Sequence, residues 1–197
     1  SDVQLEMVTI EGGSFQRQVD SDSINLANNG LVEILLSSFS IGRYPVTQGQ
    51  YRAVMGLSPS YFSVGKTTDL LPVENVSWFD AVQFCNRLSK LAGLREAYKI
   101  EGKDEVILLR SNGYRLPTEA QWEFAAKGGV KSKHFAYAGS NDLNTVGWYA
   151  QNSSGTTQLV GLKAPNELGL YDMSGNVWEW CWDKYGAYNK GVPEKKP

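Results

Sequence analysis

The two cysteines, Cys85 and Cys181, have the greatest capacity for chemistry in this sequence. A thiolate can act as a nucleophile, form a disulfide or bind a soft metal such as copper(I). Two cysteines are too few for a disulfide framework, and they lack the paired spacing of a zinc site. The sequence therefore favours two buried free thiols, with a single disulfide as the alternative.

Acid–base chemistry would have to come from His134 or from the carboxylates of Glu119 and Glu123. His134 lies in the segment KSKHFAYAG, where no nucleophile motif or carboxylate accompanies it, so we expect a surface or loop residue. The helix dipole explains Glu119 at the start of a predicted helix, and a salt bridge or solvent explains Glu123 one turn later. These residue types do not form a complete catalytic site.

Capping signatures predict three short helices that would position these groups. Each starts with Ser or Thr, followed three residues later by a side chain that can bond back to the cap: Thr47 with Gln50, Ser77 with Asp80, and Thr118 with Gln121. The first helix is expected to run to about Met55 and the second to end at Gly93. The third should stop at the glycine pair 128–129.

Alternating apolar residues predict several short strands. The segments are 8–10, a strand beginning near Phe15, 31–36, 39–41, and a small hairpin formed by 96–100 and 106–109. Residues 159–162 and 177–182 are also predicted to be extended strands. Short strands, short helices and long loops together indicate the α+β class.

Three longer motifs identify the family that this sequence resembles. They are PVENVSWFDAVQFCNRLS from Pro72, GYRLPTEAQWEFAAKGG from Gly113 and NELGLYDMSGNVWEW from Asn166. Together with MVTIEGGSF and FSIGRYPVTQGQYRAVM near the start, they resemble the formylglycine-generating-enzyme family, also called the sulfatase-modifying-factor family. The resemblance implies a C-type-lectin-like fold, with short helices around irregular antiparallel sheets and long ordered loops.

The resemblance also implies a domain boundary. Residues 1–182 are expected to form the family domain, with the C-terminal part of that domain missing from this sequence. Residues 183–197 are expected to be a polar tail or a linker into that part.

The resemblance places four residues at positions that bind calcium in family members: Asp172, Gly175, Val177 and Glu179. Two carboxylates and two backbone carbonyls supply the hard oxygen ligands that calcium prefers, and Gly175 permits a tight turn. A structural calcium ion is therefore expected here. The alternative is that Asp172 starts an Asx-turn and that Glu179 pairs with a surface cation.

Other family sites are expected to be lost. Asn144 and Thr145 resemble part of a second calcium site, but its acidic partner is missing, so we expect that site to be absent or weakened. Family oxidases bind copper(I) through two cysteines that follow the WEW motif, and neither Cys85 nor Cys181 matches those positions. A helix cysteine like Cys85 can pair in family members with a C-terminal cysteine that this sequence also lacks. No copper is expected in this chain.

Relatives with this scaffold serve as oxidases, sulfur-transfer enzymes and non-enzymatic binders, so the fold alone does not fix the function. The sequence favours a non-catalytic ligand-binding protein whose C-terminal part displays a binding surface at the cell envelope. Variable proteins diversified by retroelements use similar scaffolds in this way. The alternative is a formylglycine-generating oxidase, which performs copper-dependent cysteine oxidation on sulfatases, or a related sulfur-transfer enzyme.

Charge and hydropathy restrict the partners. A net charge of -2, with 20% of residues charged, argues against nucleic acid, and no apolar run approaches the roughly 18 residues of a membrane-spanning helix. The expected partner is an unidentified protein or small-molecule ligand, bound by a monomer. The expected location is the cell surface, the periplasm or the exterior, where calcium is abundant.

Overall fold

Four helices lie in the part of the chain that the computed structural model describes, residues 3–18, 31–63, 68–102 and 105–184. They are α1 (Gln48–Met55), α2 (Trp78–Leu91), α3 (Glu119–Ala126) and α4 (Leu143–Val146). The three predicted capping boxes are confirmed at the starts of α1, α2 and α3. The single turn α4 was not predicted, because four residues are too few to show a helical period. None of these helices is long and apolar enough to cross a membrane.

Six short strands form three antiparallel pairs in the described residues, which confirms the α+β class. They are β1 (Met7–Ile10), β2 (Gly13–Gln18), β3 (Leu31–Leu36), β4 (Phe39–Gly42), β5 (Tyr98–Glu101) and β6 (Glu105–Leu108). The pair β2–β3 is nested within β1–β4, so residues 7–18 and 31–42 form two arms of one ribbon. Gly12 is required where these arms meet, because a Cβ there would lie 2.6 Å from the Leu36 carbonyl oxygen.

Two predicted strands, 159–162 and 177–182, are wrong. These segments are irregular, and their backbones form isolated hydrogen bonds rather than a ladder. The Val160 N–H donates to Leu70 O, and the Trp182 N–H donates to Pro117 O. An alternating apolar pattern does not produce a strand when no neighbouring strand completes the ladder.

Helix α2 separates two of the three apolar clusters that form the core. Phe84 and Leu88 pack toward α1, where the ring of Tyr51 stacks on Phe84 at 5.5 Å between centroids. Val82 and Cys85 point to the other side and pack around Tyr98 at the start of β5. The third cluster joins β1 to α3 and to the segment before the WEW motif. The apolar spacing of α2 therefore positions both the N-terminal and C-terminal halves of the domain.

Residues 176–184, called the C-terminal strap here, have no regular structure and end against the cluster around Tyr98. The Trp182 ring lies 5.2 Å from the Tyr98 ring and 5.4 Å from the Trp78 ring. This aromatic anchor fixes the end of the strap against α2 and β5. Of the predicted tail, residues 183–197, only 183 and 184 lie within the described residues.

Candidate functional site

Asp172 is the most buried of the predicted calcium ligands, with 3% of its surface exposed. Its Oδ2 accepts a hydrogen bond from the Gly161 N–H at 2.8 Å, and its Oδ1 accepts a longer one from the Asn176 amide at 3.4 Å. Burial raises the pKa of Asp172, although the bonds from Gly161 and Asn176 act in the opposite direction. The carboxylate therefore joins two loops while keeping lone pairs for another ligand.

Gly175 and Val177 form a tight turn against the backbone of Trp148. The Gly175 carbonyl accepts the Val177 N–H at 3.0 Å, and the Asn176 N–H donates to Trp148 O at 2.9 Å. Gly175 has φ 154°, and a Cβ at this position would lie 2.2 Å from Trp148 O. Only glycine allows this approach, so the predicted role of Gly175 in the turn is confirmed.

Glu179 lies in the strap and bonds to helix α3. Its Oε2 accepts the Trp122 indole N–H at 3.1 Å. The residue keeps exposed surface, yet the protein atoms packed around its carboxylate raise the pKa to about 7. The bond from Trp122 lowers this pKa, and the negative charge of Asp172 raises it further. Within the described residues, the hydrogen-bond partner of Glu179 is thus an indole rather than a surface cation.

Two of the four predicted calcium ligands supply carboxylate oxygens, which calcium prefers. Asp172 and Glu179 are partly desolvated carboxylates whose charges repel each other, and a divalent cation would remove that repulsion. No group of three or more His, Cys, Asp or Glu side chains gathers within the described residues. Because calcium takes about six to eight oxygens, backbone carbonyls and water would have to supply the remainder. Calcium binding stays a prediction.

The region predicted to have lost a second calcium site contains a lysine cation. Lys163 Nζ donates to the backbone carbonyl of Asn144 and lies 4.2 Å from the centroid of the Trp148 ring. The Asn144 side-chain oxygen accepts the Tyr149 hydroxyl at 2.8 Å. Each oxygen of Asn144 therefore bonds a protein group, and the loss of this site stays a prediction.

Both cysteines are free thiols, as the sequence favoured. Cys85 is buried on α2, and desolvation raises its pKa to about 12. Cys181 is half-buried; desolvation, with Asp183 and Glu179 among the nearby carboxylates, raises its pKa to about 12. A nucleophilic or metal-binding cysteine needs a stabilised thiolate, whereas burial favours the neutral thiol at both of these positions.

The remaining candidates have structural surroundings, as predicted. His134 is exposed in a loop with φ 57°. Glu123 accepts Arg17 Nε at 2.6 Å and also pairs with Lys127 one turn along the helix. Glu119 lies in the first turn of α3, where the helix dipole favours a negative charge.

Two tryptophans of the strap, Trp178 and Trp180, are exposed. Trp178 is fully exposed at 103% relative surface, and Trp180 is 50% exposed with its indole N–H donated to Val76 O at 2.9 Å. Of the three tryptophans in the strap, only Trp182 packs into the core. Regular alternation would place all three on one face of a strand, but the irregular strap turns them in different directions.

The fold and the motif residues now define the class. The chain belongs to the family of sulfatase-modifying factor enzyme 1-like domains, whose family model matches residues 2–196. This confirms the resemblance to formylglycine-generating enzymes.

Three known proteins illustrate what this chain is similar to. The chain is 39% identical to the chaperone protein LppX of Paenibacillus barcinonensis, across 92% of this chain and 72% of LppX. It is 34% identical to the serine/threonine-protein kinase pkn1 of Chlamydia caviae, across 92% of this chain but only 28% of the kinase. Among solved structures, Treponema denticola variable protein 1 is 35% identical with a TM-score of 0.78, across 94% of this chain and 75% of that protein.

Proposed function

We propose that this domain is a non-catalytic binding module that holds a polypeptide ligand on the surface around Trp178 and Trp180. The observation that carries this proposal is the complete exposure of the Trp178 side chain beside the half-exposed Trp180. Tryptophan supplies a large apolar contact area with few rotatable bonds, and it is enriched in binding hot spots. A fully exposed tryptophan on an anchored segment gains free energy only when a partner covers it.

The anchoring of the strap supports a preformed surface. Trp182 packs between two aromatic rings, and the Trp180 indole is fixed to the Val76 carbonyl. Ordering costs on binding are lower when the contact residues are already held in place. The surface can therefore bind without first folding the strap.

A non-catalytic role is supported by the thiols and by two relatives. Cys85 and Cys181 both have raised pKa values, so neither is prepared as a thiolate for copper(I) or for nucleophilic attack. LppX is named a chaperone, and chaperones act on polypeptides. The relative from Treponema denticola is named a variable protein, which suits a surface adapted to different ligands.

We also propose that calcium holds the loop from Asp172 to Glu179, which contains Trp178 and directly precedes Trp180. Its role is structural: the cation would offset the repulsion between two carboxylates and fix the direction of the strap. Millimolar calcium outside the cytosol would fill such a site, which supports a location at the cell envelope.

The test is to select peptides from a displayed random library on immobilised wild-type protein in calcium buffer. Selected peptides are synthesised, and their affinities are measured by calorimetry for the wild type and for Trp178→Ala. We expect micromolar peptides whose affinity falls at least about tenfold in Trp178→Ala, because hot-spot truncation costs roughly 2 kcal/mol. Leu91→Ala is the matched control, since Leu91 is an exposed apolar residue at the far end of α2, with 63% exposure.

Two results would contradict the proposal. Peptides that bind Trp178→Ala as tightly as wild type would show that the ligand surface lies elsewhere. Conversion of a cysteine peptide to its formylglycine form, measured by mass spectrometry with copper(I) and oxygen, would establish the oxidase alternative. The same assay on Cys85→Ser and Cys181→Ser would then identify the thiol responsible.

A further inference from the structure

A cavity of about 240 Å³ lies beside the loop that holds Asn176, and none of the roles described above uses it. Its aromatic walls are Phe62, Trp148 and Tyr149, and its polar lining includes Ser153 and Thr157. No described residue that lines it carries a charge at neutral pH. The volume far exceeds that of one water molecule, about 30 Å³ in the liquid, but it is smaller than a typical drug site.

Two of the lining residues carry buried polar atoms that lack a hydrogen-bond partner within the described residues. They are the Trp148 indole nitrogen and the Thr157 hydroxyl. Thr157 is only 8% exposed, so bulk water does not replace the missing partner. Buried polar groups are nearly always bonded, and an orphaned donor costs free energy that a bound ligand can recover.

The walls of the cavity are held firmly. The Trp148 carbonyl accepts the Asn176 N–H at 2.9 Å, and the Tyr149 N–H donates to Asn152 Oδ1 at 2.8 Å. The Asn176 side chain bonds both the N–H and the carbonyl of Gln158, at 3.0 and 2.9 Å. The backbone of the cavity is therefore fixed, and only side-chain movements are needed to expose the two orphaned atoms to a ligand.

We propose that this cavity binds a single neutral pyranose sugar unit. No described lining residue gives a counter-charge to a carboxylate or phosphate, and the nearby Lys163 ammonium already bonds the Asn144 carbonyl. The hydroxyl and indole groups would stay unsatisfied against a hydrocarbon. A pyranose meets each requirement, because its C–H face can lie on an aromatic ring while its hydroxyls accept from Trp148 and bond to Thr157. Lys163 over the Trp148 ring withdraws electron density and strengthens the indole N–H as a donor.

The experiment follows the indole N–H resonance of Trp148 by NMR in protein labelled with ¹⁵N-tryptophan. Glucose, galactose, mannose and N-acetylglucosamine are titrated separately. Glucuronate tests the requirement for a neutral ligand, and sorbitol tests the requirement for a ring. At least one neutral pyranose should shift the resonance saturably, with a millimolar dissociation constant, as expected for a ligand of about twelve non-hydrogen atoms.

Two conservative variants complete the test. Thr157→Val removes the hydroxyl while keeping the shape and should weaken the sugar at least fivefold. Trp148→Phe keeps an aromatic wall, removes the N–H donor and should do the same, measured through the anomeric proton of the sugar by saturation transfer. Trp178→Ala is expected to leave sugar binding unchanged while it loses the selected peptides, so this inference and the proposed function fail independently.

The proposal is overturned if no pyranose shifts the Trp148 resonance at about 50 mM, a concentration well above a millimolar dissociation constant. The cavity would then hold only ordered water. It is equally overturned if sorbitol or glucuronate shifts the resonance as much as the sugars do, or if both variants bind the sugar as wild type does. If either variant does not fold, the wild-type titration decides the result.

Discussion

Asn166 shows at the scale of one residue how a buried polar side chain organises this domain. It is 6% exposed, and its amide donates to the Ala125 carbonyl at 2.7 Å, at the end of α3. Its side-chain oxygen accepts the N–H groups of Leu168 and Leu170 at 3.0 and 3.1 Å. One amide therefore closes the turn that precedes the predicted calcium loop and caps a helix from a distance.

Asn166→Ala should lower the free energy of unfolding by about 2–3 kcal/mol, because several buried backbone groups lose their partner at once. Urea denaturation followed by fluorescence measures this change. Asn141→Ala is the matched control: Asn141 is exposed and bonds only the Ala136 N–H in the described structure, so about 0.5 kcal/mol is expected. Equal losses in both variants would contradict the role of Asn166.

Glu179 should make stability depend on pH. Its pKa is raised from 4.5 to about 7 in the folded protein, so the folded state keeps this proton to a higher pH than the unfolded chain does. Its contribution to stability is full below about pH 4.5 and is lost as the pH rises through about 7. Without calcium, stability should therefore decline across this window, and the raised pKa of Asp172 acts in the same direction.

Calcium should reverse that decline, because the cation stabilises the ionised carboxylates. Thermal unfolding midpoints between pH 4.5 and 8, with calcium chloride or with a chelator, measure the effect. Glu179→Gln cannot ionise, so it should flatten the decline without calcium and reduce the gain from calcium. A wild-type gain from calcium as large at pH 4.5 as at pH 8 would contradict this mechanism.

At the scale of elements, the helices are set by their own ends. The capping box of α3 pairs Thr118 with Gln121, and the Glu119 N–H is also satisfied by Asp183 Oδ2 at 2.6 Å. The box is a local pattern and could therefore be predicted from the sequence, whereas the bond from the Glu119 N–H to Asp183 joins distant segments. The start of α3 thus combines a local and a tertiary cap.

Thr118→Ala should lower the free energy of unfolding by about 1 kcal/mol, the usual cost of removing a side-chain cap. Thr118→Ser is the matched control and should stay within a few tenths of a kcal/mol of wild type, because it keeps the hydroxyl. Chemical denaturation measures both variants. If serine is as destabilising as alanine, packing of the threonine methyl group rather than the cap explains the loss.

At the scale of the whole molecule, the strap joins the end of the described chain to its middle. Trp182 packs with Trp78 at the start of α2 and with Tyr98 in β5, and the Trp78 indole donates to the Cys181 carbonyl at 2.9 Å. Trp178, four positions earlier, is fully exposed in the described structure. Trp182 therefore contributes to stability, whereas Trp178 contributes little to stability and is free to contact a ligand.

Trp182→Ala should lower the free energy of unfolding by about 2–4 kcal/mol, since it removes a large ring from an aromatic cluster. Trp178→Ala should change it by less than about 0.5 kcal/mol, because the side chain is exposed. Comparing the two variants by urea denaturation tests the assignment of anchor and surface. A large loss in Trp178→Ala would mean that this ring is covered in solution.

The sequence by itself determined the family, the α+β class, the three capped helices and the six strands. Caps and alternation depend on neighbours within a few positions, and the long motifs carry the fold of the family. The sequence also indicated the free thiols, because the two cysteines lack the spacing of a disulfide framework or a zinc site. It indicated the exposure of His134, because no nucleophile motif or carboxylate accompanies that residue.

Only the tertiary structure decided which partners the distant side chains meet. The strap forms no strand because no ladder lies beside it, so Trp178 and Trp180 face outward while Trp182 packs inward. The bond from Trp122 to Glu179, the lysine beside Asn144 and the cavity at Trp148 all join segments far apart in the chain. Such contacts follow from the packing of whole elements, which no local pattern of residues records.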